Sequence, residues 1–195
     1  NDFIYELILD SEILLIYNDS NLGQIKSIDK AYSFVDTKYI FHCEEDWEFY
    51  DYGFIEKSLD ILKKQPKIGM VWLIEYNDNK AIFSHHYIEK EVYSNSYRLL
   101  SSNHIGKKRR TPKSRKENII WSGFTFNPSL RRLEDYKLMG PYIDKCIPYF
   151  FGKKCDELDI QKIFLKYNFR AAITLNERGF VKHIGYDSHI IRDWE

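Results

Sequence analysis

Apolar positions along the chain alternate between helical and strand spacing, and the alternation repeats. Phe3, Ile4, Leu7 and Ile8 share one helical face, which predicts a short opening helix. Ile13 to Tyr17 is a compact apolar run with the pattern of a strand, followed by the turn-forming Asn18-Asp19-Ser20-Asn21. Ile25, Ile28, Tyr32 and Val35 fall at i, i+3, i+7 and i+10. This predicts a helix over 23–35 with Gln24, Lys26 and Asp29 left free of its buried face. Tyr39-Ile40-Phe41 is a bulky, β-prone run that stops abruptly at Glu44-Glu45-Asp46, a buried strand with carboxylates at its carboxyl end. Ile55, Leu59 and Leu62 mark a helix closed by Pro66, and Ile68 to Leu73 the next strand.

The order helix, strand, helix, strand, helix, strand predicts an α/β fold: a mostly parallel central sheet with helices on both faces. A parallel crossover starts from a strand, whereas this pattern starts in a helix. The expectation is therefore a single domain over 1–195 that is N-terminally incomplete, its opening strand-helix-strand unit missing. Periodicity weakens from Asn77 to about Asn118, and 104–118 is expected to be a basic, mobile loop. Ile119 to Phe126 resumes as a strand interrupted by Gly123, which marks either a close backbone approach or a bulge. Cys155 to Tyr167 is the last helix, with Ile160, Ile163, Phe164 and Tyr167 on its buried side. Ala171 to Leu175 and Phe180 to Gly185 close the series as strands.

Composition narrows the class. With 15 Tyr and 13 Phe among 195 residues, the chain carries too much packing material to be disordered. Lys plus Arg balances Asp plus Glu at 29 each, so overall charge favours neither a nucleic acid nor a membrane surface as partner. Seven of the eleven residues from Gly106 to Lys116 are basic, but no aromatic residue interleaves them as a base-stacking surface requires. Cys43, Cys146 and Cys155 are odd in number and lack a Cys-x-x-Cys spacing, which points to neither a disulfide framework nor structural zinc. A reducing, cytoplasmic compartment fits that usage. No run of about 18 apolar residues predicts a membrane span.

A bare Glu-Glu-Asp is more often a solvated acidic turn, but three adjacent acids at a strand end repel one another unless a cation or donors hold them, and open α/β sheets place ligands at that end. A second acidic group, Asp156, Glu157 and Asp159, heads the last helix, where helix capping alone explains one acid better than three. His183 taken alone is more often a satisfied structural histidine than a ligand. His85, His86 and His189 have no partner at a ligand spacing and are assigned no metal. Arg131 and Arg132, after the Asn127-Pro128 turn, either meet a phosphate or acidic acceptor or are ordinary surface charge.

The ordered series of acidic strand end, Ser122-Gly123-Phe124, acid-headed helix and late His183-Ile-Gly185 resembles the family-2-like glycosyltransferases of the GT-A nucleotide-sugar fold, in particular a branch with a His-Cys-Glu-Asp-Asp-Trp strand end. The resemblance runs from about Asn18 to Gly185. It implies a metal-dependent inverting glycosyltransferase that moves a sugar from a nucleotide-diphosphate sugar to a hydroxyl of a glycan, protein or lipid. By position it implies that Asn21 and Gly23 form the turn beside the donor nucleotide, and that Glu44 and Glu45 face the nucleotide. Glu45 stands where that branch has Asp. It further implies that Asp46 and His183 ligate Mn²⁺ or Mg²⁺, that Ser122 and Gly123 line the transferred sugar, and that of the pair Asp156 and Glu157 the second is the base. A reading from another class is a degenerate or partial domain that binds a partner without catalysis. A nucleic-acid module built on 107–116 is the weakest of the three.

Overall fold

The computed structural model describes residues 13–75, 91–100, 105–107, 118–120, 123–145 and 157–185. The helix expected over Phe3 to Ile8, the histidines at 85, 86 and 189, Cys146, Cys155, Ser122, Asp156 and most of the basic segment lie outside the described residues.

In chain order the elements are α1 (Gln24–Tyr32), β1 (Tyr39–His42), β2 (Trp47–Phe49), α2 (Phe54–Lys64), β3 (Ile68–Trp72), β4 (Tyr97–Leu99), β5 (Ile105–Lys107), β6 (Asn118–Ile120), β7 (Ser129–Arg132), α3 (Leu133–Met139), a 3-10 turn (Ile143–Lys145), α4 (Glu157–Lys166), β8 (Arg170–Thr174) and β9 (Val181–His183). Five strands form one sheet in the order β1-β7-β3-β8-β4, while β2 pairs with β9 and β5 with β6. The α/β class holds, but the sheet is mixed. Only β3 and β8 pair in parallel; β1–β7, β7–β3 and β8–β4 are antiparallel. The cause is β7, which runs opposite to β1 and β3 and lies between them. The crossover through α2 therefore joins two strands of the same direction that are not neighbours.

Two further expectations change. Ile13 to Tyr17 has no regular structure and is largely exposed, because an apolar run becomes a strand only where a partner offers its backbone hydrogen bonds, and none of the described strands pairs with it. Of the strand expected over Ile119 to Phe126, Ile119 and Ile120 belong to β6, which pairs with β5, while residues 123–126 are not in a strand. Gly123 resolves toward close approach: its φ is +87°, and a Cβ there would lie 2.7 Å from the Ala171 Cβ.

Strand alternation sorts the sheet into two apolar faces. Ile40, Met70, Trp72, Ala171 and Ile173 pack under α1 through Ile25, Ile28 and Tyr32, under α3 through Leu133, Tyr136 and Met139, and under α4 through Ile160 and Phe164. Val71, Leu130, Ala172 and Leu99 on the reverse face meet Ile61 and Leu62 of α2. Helices cover both faces, as expected. Asp29, expected to project freely, instead clamps the first face: its carboxylate accepts from Tyr136 Oη at 2.9 Å and from the backbone N–H of Tyr142 and Ile143 at 3.0 and 2.8 Å.

His42, the last residue of β1, is buried with Nδ1 2.9 Å from the Tyr32 hydroxyl. Burial, aided by the Arg131 guanidinium, holds its imidazole neutral down to a pKa of about 3. Below the ordinary histidine value of about 6.5 the unfolded chain takes up a proton that the folded chain refuses, so this contribution to stability is full above that value and is lost as pH falls from it. His42→Asn keeps an acceptor for Tyr32 but cannot titrate. The stability of wild type relative to this variant is expected to fall by up to about tenfold in the folding constant per pH unit between roughly 6 and 4, read by urea unfolding. A difference that stays flat across that range would contradict a buried neutral imidazole.

Candidate active site

One end of the central sheet collects the candidate residues. The carboxyl ends of β1 and β3 and the amino end of β7 lie side by side there, because β7 runs opposite to both. The acids follow β1, residues 123–126 lead into β7, and an isolated bridge between Ile74 and Val181 brings the chain after β3 against β9. Ligands of open α/β sheets bind at such an end.

Asp46 and His183 meet directly. Asp46 Oδ2 lies 2.9 Å from His183 Nε2, and the pairing of β2 with β9 sets that distance by placing Trp47 opposite His183. The ladder is carried past both strands by Ile184 N–H donating to the Asp46 carbonyl at 2.8 Å and Tyr50 N–H to the Phe180 carbonyl at 3.2 Å. Asp46 Oδ1 is buried with no hydrogen-bond partner among the described residues. Gly185 leaves the carboxylate its space: a Cβ there would lie 2.7 Å from both Cβ and Oδ2 of Asp46. Gly185→Ala is therefore expected to cost about 1–3 kcal/mol of stability in urea unfolding and to displace the Asp46 carboxylate from His183. A variant as stable as wild type would show that the packing around Asp46 gives way.

Glu157 opens α4 and is partly buried. Its Oε1 accepts from the Phe126 N–H at 2.6 Å and from Thr125 Oγ1 at 2.9 Å. Oε2 has no hydrogen-bond partner among the described residues. Burial pushes the Glu157 carboxyl above the usual range, against the Phe126 N–H, the Thr125 hydroxyl and the Arg131 charge, which lower it; Glu44 adds a smaller upward push. Glu44 is partly buried and its carboxyl is also raised, first by burial, although Gln24 Nε2 donates to Glu44 Oε1 at 2.6 Å. Glu44 feels Asp46 and Arg131 as well, so it links the Asp46–His183 pair to the Glu157 side of the site.

The remaining sequence candidates divide. Asn21 and Gly23 form a turn into α1, with Gly23 N–H donating to Asn21 Oδ1 at 2.9 Å, and Gln24 of the same turn reaches Glu44. Glu45 is exposed and holds no hydrogen bond among the described residues. Gly123 supports the site from beneath, its carbonyl accepting from Trp72 Nε1 at 2.8 Å. The Arg131-Arg132 pair is corrected: neither is surface charge, at 3% and 7% exposed. Arg132 spans α2 to β7, donating to Asp135 Oδ2 at 2.7 Å and to the carbonyls of Ile68, Leu62 and Gln65. A cleft of about 380 Å³ lined by Lys38, Tyr39, Glu134 and Lys137 lies at the amino end of β1, away from the acids.

Among the described residues no three His, Cys, Asp or Glu side chains converge as a ready metal cage. The Asp46–His183 pair nevertheless suits a hard divalent ion. Two ligands at about 2.1 Å in adjacent octahedral positions stand roughly 3 Å apart, and Mg²⁺ sites commonly take one or two protein ligands and complete the shell with phosphate oxygens and water. The unpartnered buried Oδ1 is the observation that favours this. Sequence reasoning missed Gln24, Thr125, the Phe126 N–H and Gly185 as parts of the site, and named Arg131 without its burial. Of these only Arg131 left a signal, as one of two charges following apolar Leu130 in a strand, where the buried faces alternate.

The sequence matches no protein-family model, and no curated protein matches it.

Proposed function

We propose that the protein is a group transferase that acts on nucleotide-diphosphate-activated substrates at the carboxyl end of a mixed sheet. More particularly, we infer an inverting glycosyltransferase that uses Mn²⁺ or Mg²⁺ and passes a sugar to an acceptor hydroxyl. The observation that supports this is that an Asp46–His183 pair and a cradled, partly buried carboxylate, Glu157, lie at the same sheet end, with Glu44 acting on Glu157 and itself acted on by Asp46.

The chemistry asks for two things. As the bond from the anomeric carbon to the diphosphate oxygen breaks, negative charge builds on the leaving group; Asp46 and His183 would hold a divalent ion, which would supply the compensating charge. The acceptor hydroxyl has a pKa far above 7 and must lose its proton as its oxygen bonds to the anomeric carbon. Glu157 is suited to receive it, since Oε1 is fixed by Phe126 and Thr125 and Oε2 accepts the proton. Burial makes this carboxylate more basic than an exposed one. Attack from the face opposite the diphosphate inverts the anomeric centre. Glu44, held by Gln24, borders the donor side. Among the described residues no helix is long and apolar enough to cross a membrane.

A thermal-shift screen of nucleoside diphosphates and their sugar conjugates, with and without Mn²⁺, tests this on the longest natural form of the chain. Stabilisation by one nucleotide only when Mn²⁺ is present, with sugar release or transfer, is the expected result. Stabilisation without any turnover would favour the non-catalytic binding module, and no response to any nucleotide would remove both.

A further inference from the structure

We propose that Arg131 is a positioning residue for Glu157: its buried guanidinium fixes the Thr125–Phe126 segment that cradles the carboxylate and supplies the positive field against which that carboxylate carries its charge. The purpose of this arrangement rests on Glu157 being the base, but the arrangement itself is visible without turnover.

The guanidinium is 3% exposed, and among the described residues no carboxylate stands within salt-bridge distance of it. A buried cation without a contacting anion costs several kcal/mol in desolvation, so its place in the fold needs a compensating interaction. Arg132 shows the ordinary solution one position along, with Asp135 at 2.7 Å. Arg131 is held differently. Nε donates to Ser129 Oγ at 3.1 Å, Nη2 donates to the Thr125 carbonyl, and the guanidinium lies 5.3 and 5.4 Å from the ring centroids of Phe124 and Phe126. All these contacts grip residues 124–126 or the start of β7. The same segment presents Thr125 Oγ1 and the Phe126 N–H to Glu157 Oε1, so a single residue links the guanidinium to the carboxylate.

Charge supports the geometry. Among the described residues, the groups acting on Glu157 are Arg131 from β7, Glu44 from beyond β1, and the neutral donors Thr125 and Phe126. On its own helix, Asp159 is turned to Lys162 at 3.0 Å. Among the described residues Arg131 is the one cation acting on Glu157, and it acts on Glu44 too. Around the guanidinium lie His42, held neutral, and the hydroxyls of Tyr32 and Tyr142. The carboxylates on which its charge acts are Glu157 and Glu44, and Asp29 acts with it on Tyr32 and Tyr142.

The test follows the Glu157 carboxyl by ¹³C NMR in the full chain, assigned by its loss in Glu157→Gln. In Arg131→Gln, which can still donate toward Thr125 or Ser129 but carries no charge, the midpoint is expected to rise by roughly one unit or more, the order of effect of a nearby opposite charge. In Arg131→Lys it is expected to move much less. A folded Arg131→Gln protein with an unmoved midpoint would overturn the proposal. If Arg131→Gln fails to fold, Glu157→Gln added to it should restore folding, because the uncompensated carboxylate is then gone; a double variant that stays unfolded would overturn it as well. Transfer assays on the wild type decide the base role separately.

Discussion

Glu157→Gln is expected to leave Mn²⁺-dependent donor binding within a few-fold of wild type while lowering transfer by about 10²–10⁴-fold. The amide keeps an oxygen for the Phe126 N–H and Thr125 hydroxyl, so the cradle at 2.6 and 2.9 Å survives. What is lost is the second oxygen, the one free to receive the acceptor's proton. Because burial raises the Glu157 carboxyl, the wild-type rate should climb with pH along a limb lying above the usual carboxylate range, and that limb should vanish in the variant. Stability gives an independent sign. A carboxyl raised in the fold contributes stability that is full below its unfolded value and is lost as pH rises through its folded one, so wild type should gain on the variant as pH is lowered. Transfer within a few-fold of wild type would move the base elsewhere.

Asp46→Ala is expected to weaken donor binding in the presence of Mn²⁺ by at least about a hundredfold and to abolish transfer, the loss of several kcal/mol of charge stabilisation across a diphosphate. It also removes the partner 2.9 Å from His183, so a folding control is needed. Asp46→Asn provides it, since the amide retains a contact for the imidazole but is a poor ligand for a hard cation. Calorimetric titration of the nucleoside diphosphate with and without Mn²⁺ reads both variants. Metal-dependent affinity that persists in Asp46→Asn and Asp46→Ala would take the ion away from this carboxylate.

Much of the fold was legible because burial leaves a periodic trace. Ile25, Ile28 and Tyr32 are the buried face of α1, Ile160 and Phe164 that of α4, and β1, β3, β8 and β9 stand where apolar runs predicted them. Strand neighbours leave no such trace. Ser129 to Arg132 carries only one apolar residue, Leu130, so nothing in its composition announced a central strand, and the sheet was expected to be more parallel than it is. The apolar run at Ile13 to Tyr17 erred in the other direction, since hydrophobicity cannot supply a partner strand.

The candidate site divides in the same way. Asp46, Glu157 and His183 could be singled out because the acidic strand end, the acid-headed helix and the late histidine follow one another in an order that resembles a known family, although each residue alone has an ordinary structural use. The Phe126 N–H, the space left by Gly185 and the carbonyl of Gly123 were not, because a backbone donor or a missing methyl has no letter of its own. Arg131 was visible as a charge but not as a buried one, since its burial is decided by the register of β7 against Ile40.

The contact between Asp46 and His183 spans 137 positions of sequence. Closing so long a loop carries an entropic penalty that is repaid only once the intervening strands are in place. The two halves of the candidate centre should therefore meet late during folding, after β3, β7 and β8 have assembled. A nascent chain that has emerged only as far as α4 would carry its acids without their imidazole, so any ion capture by this pair must await release of β9.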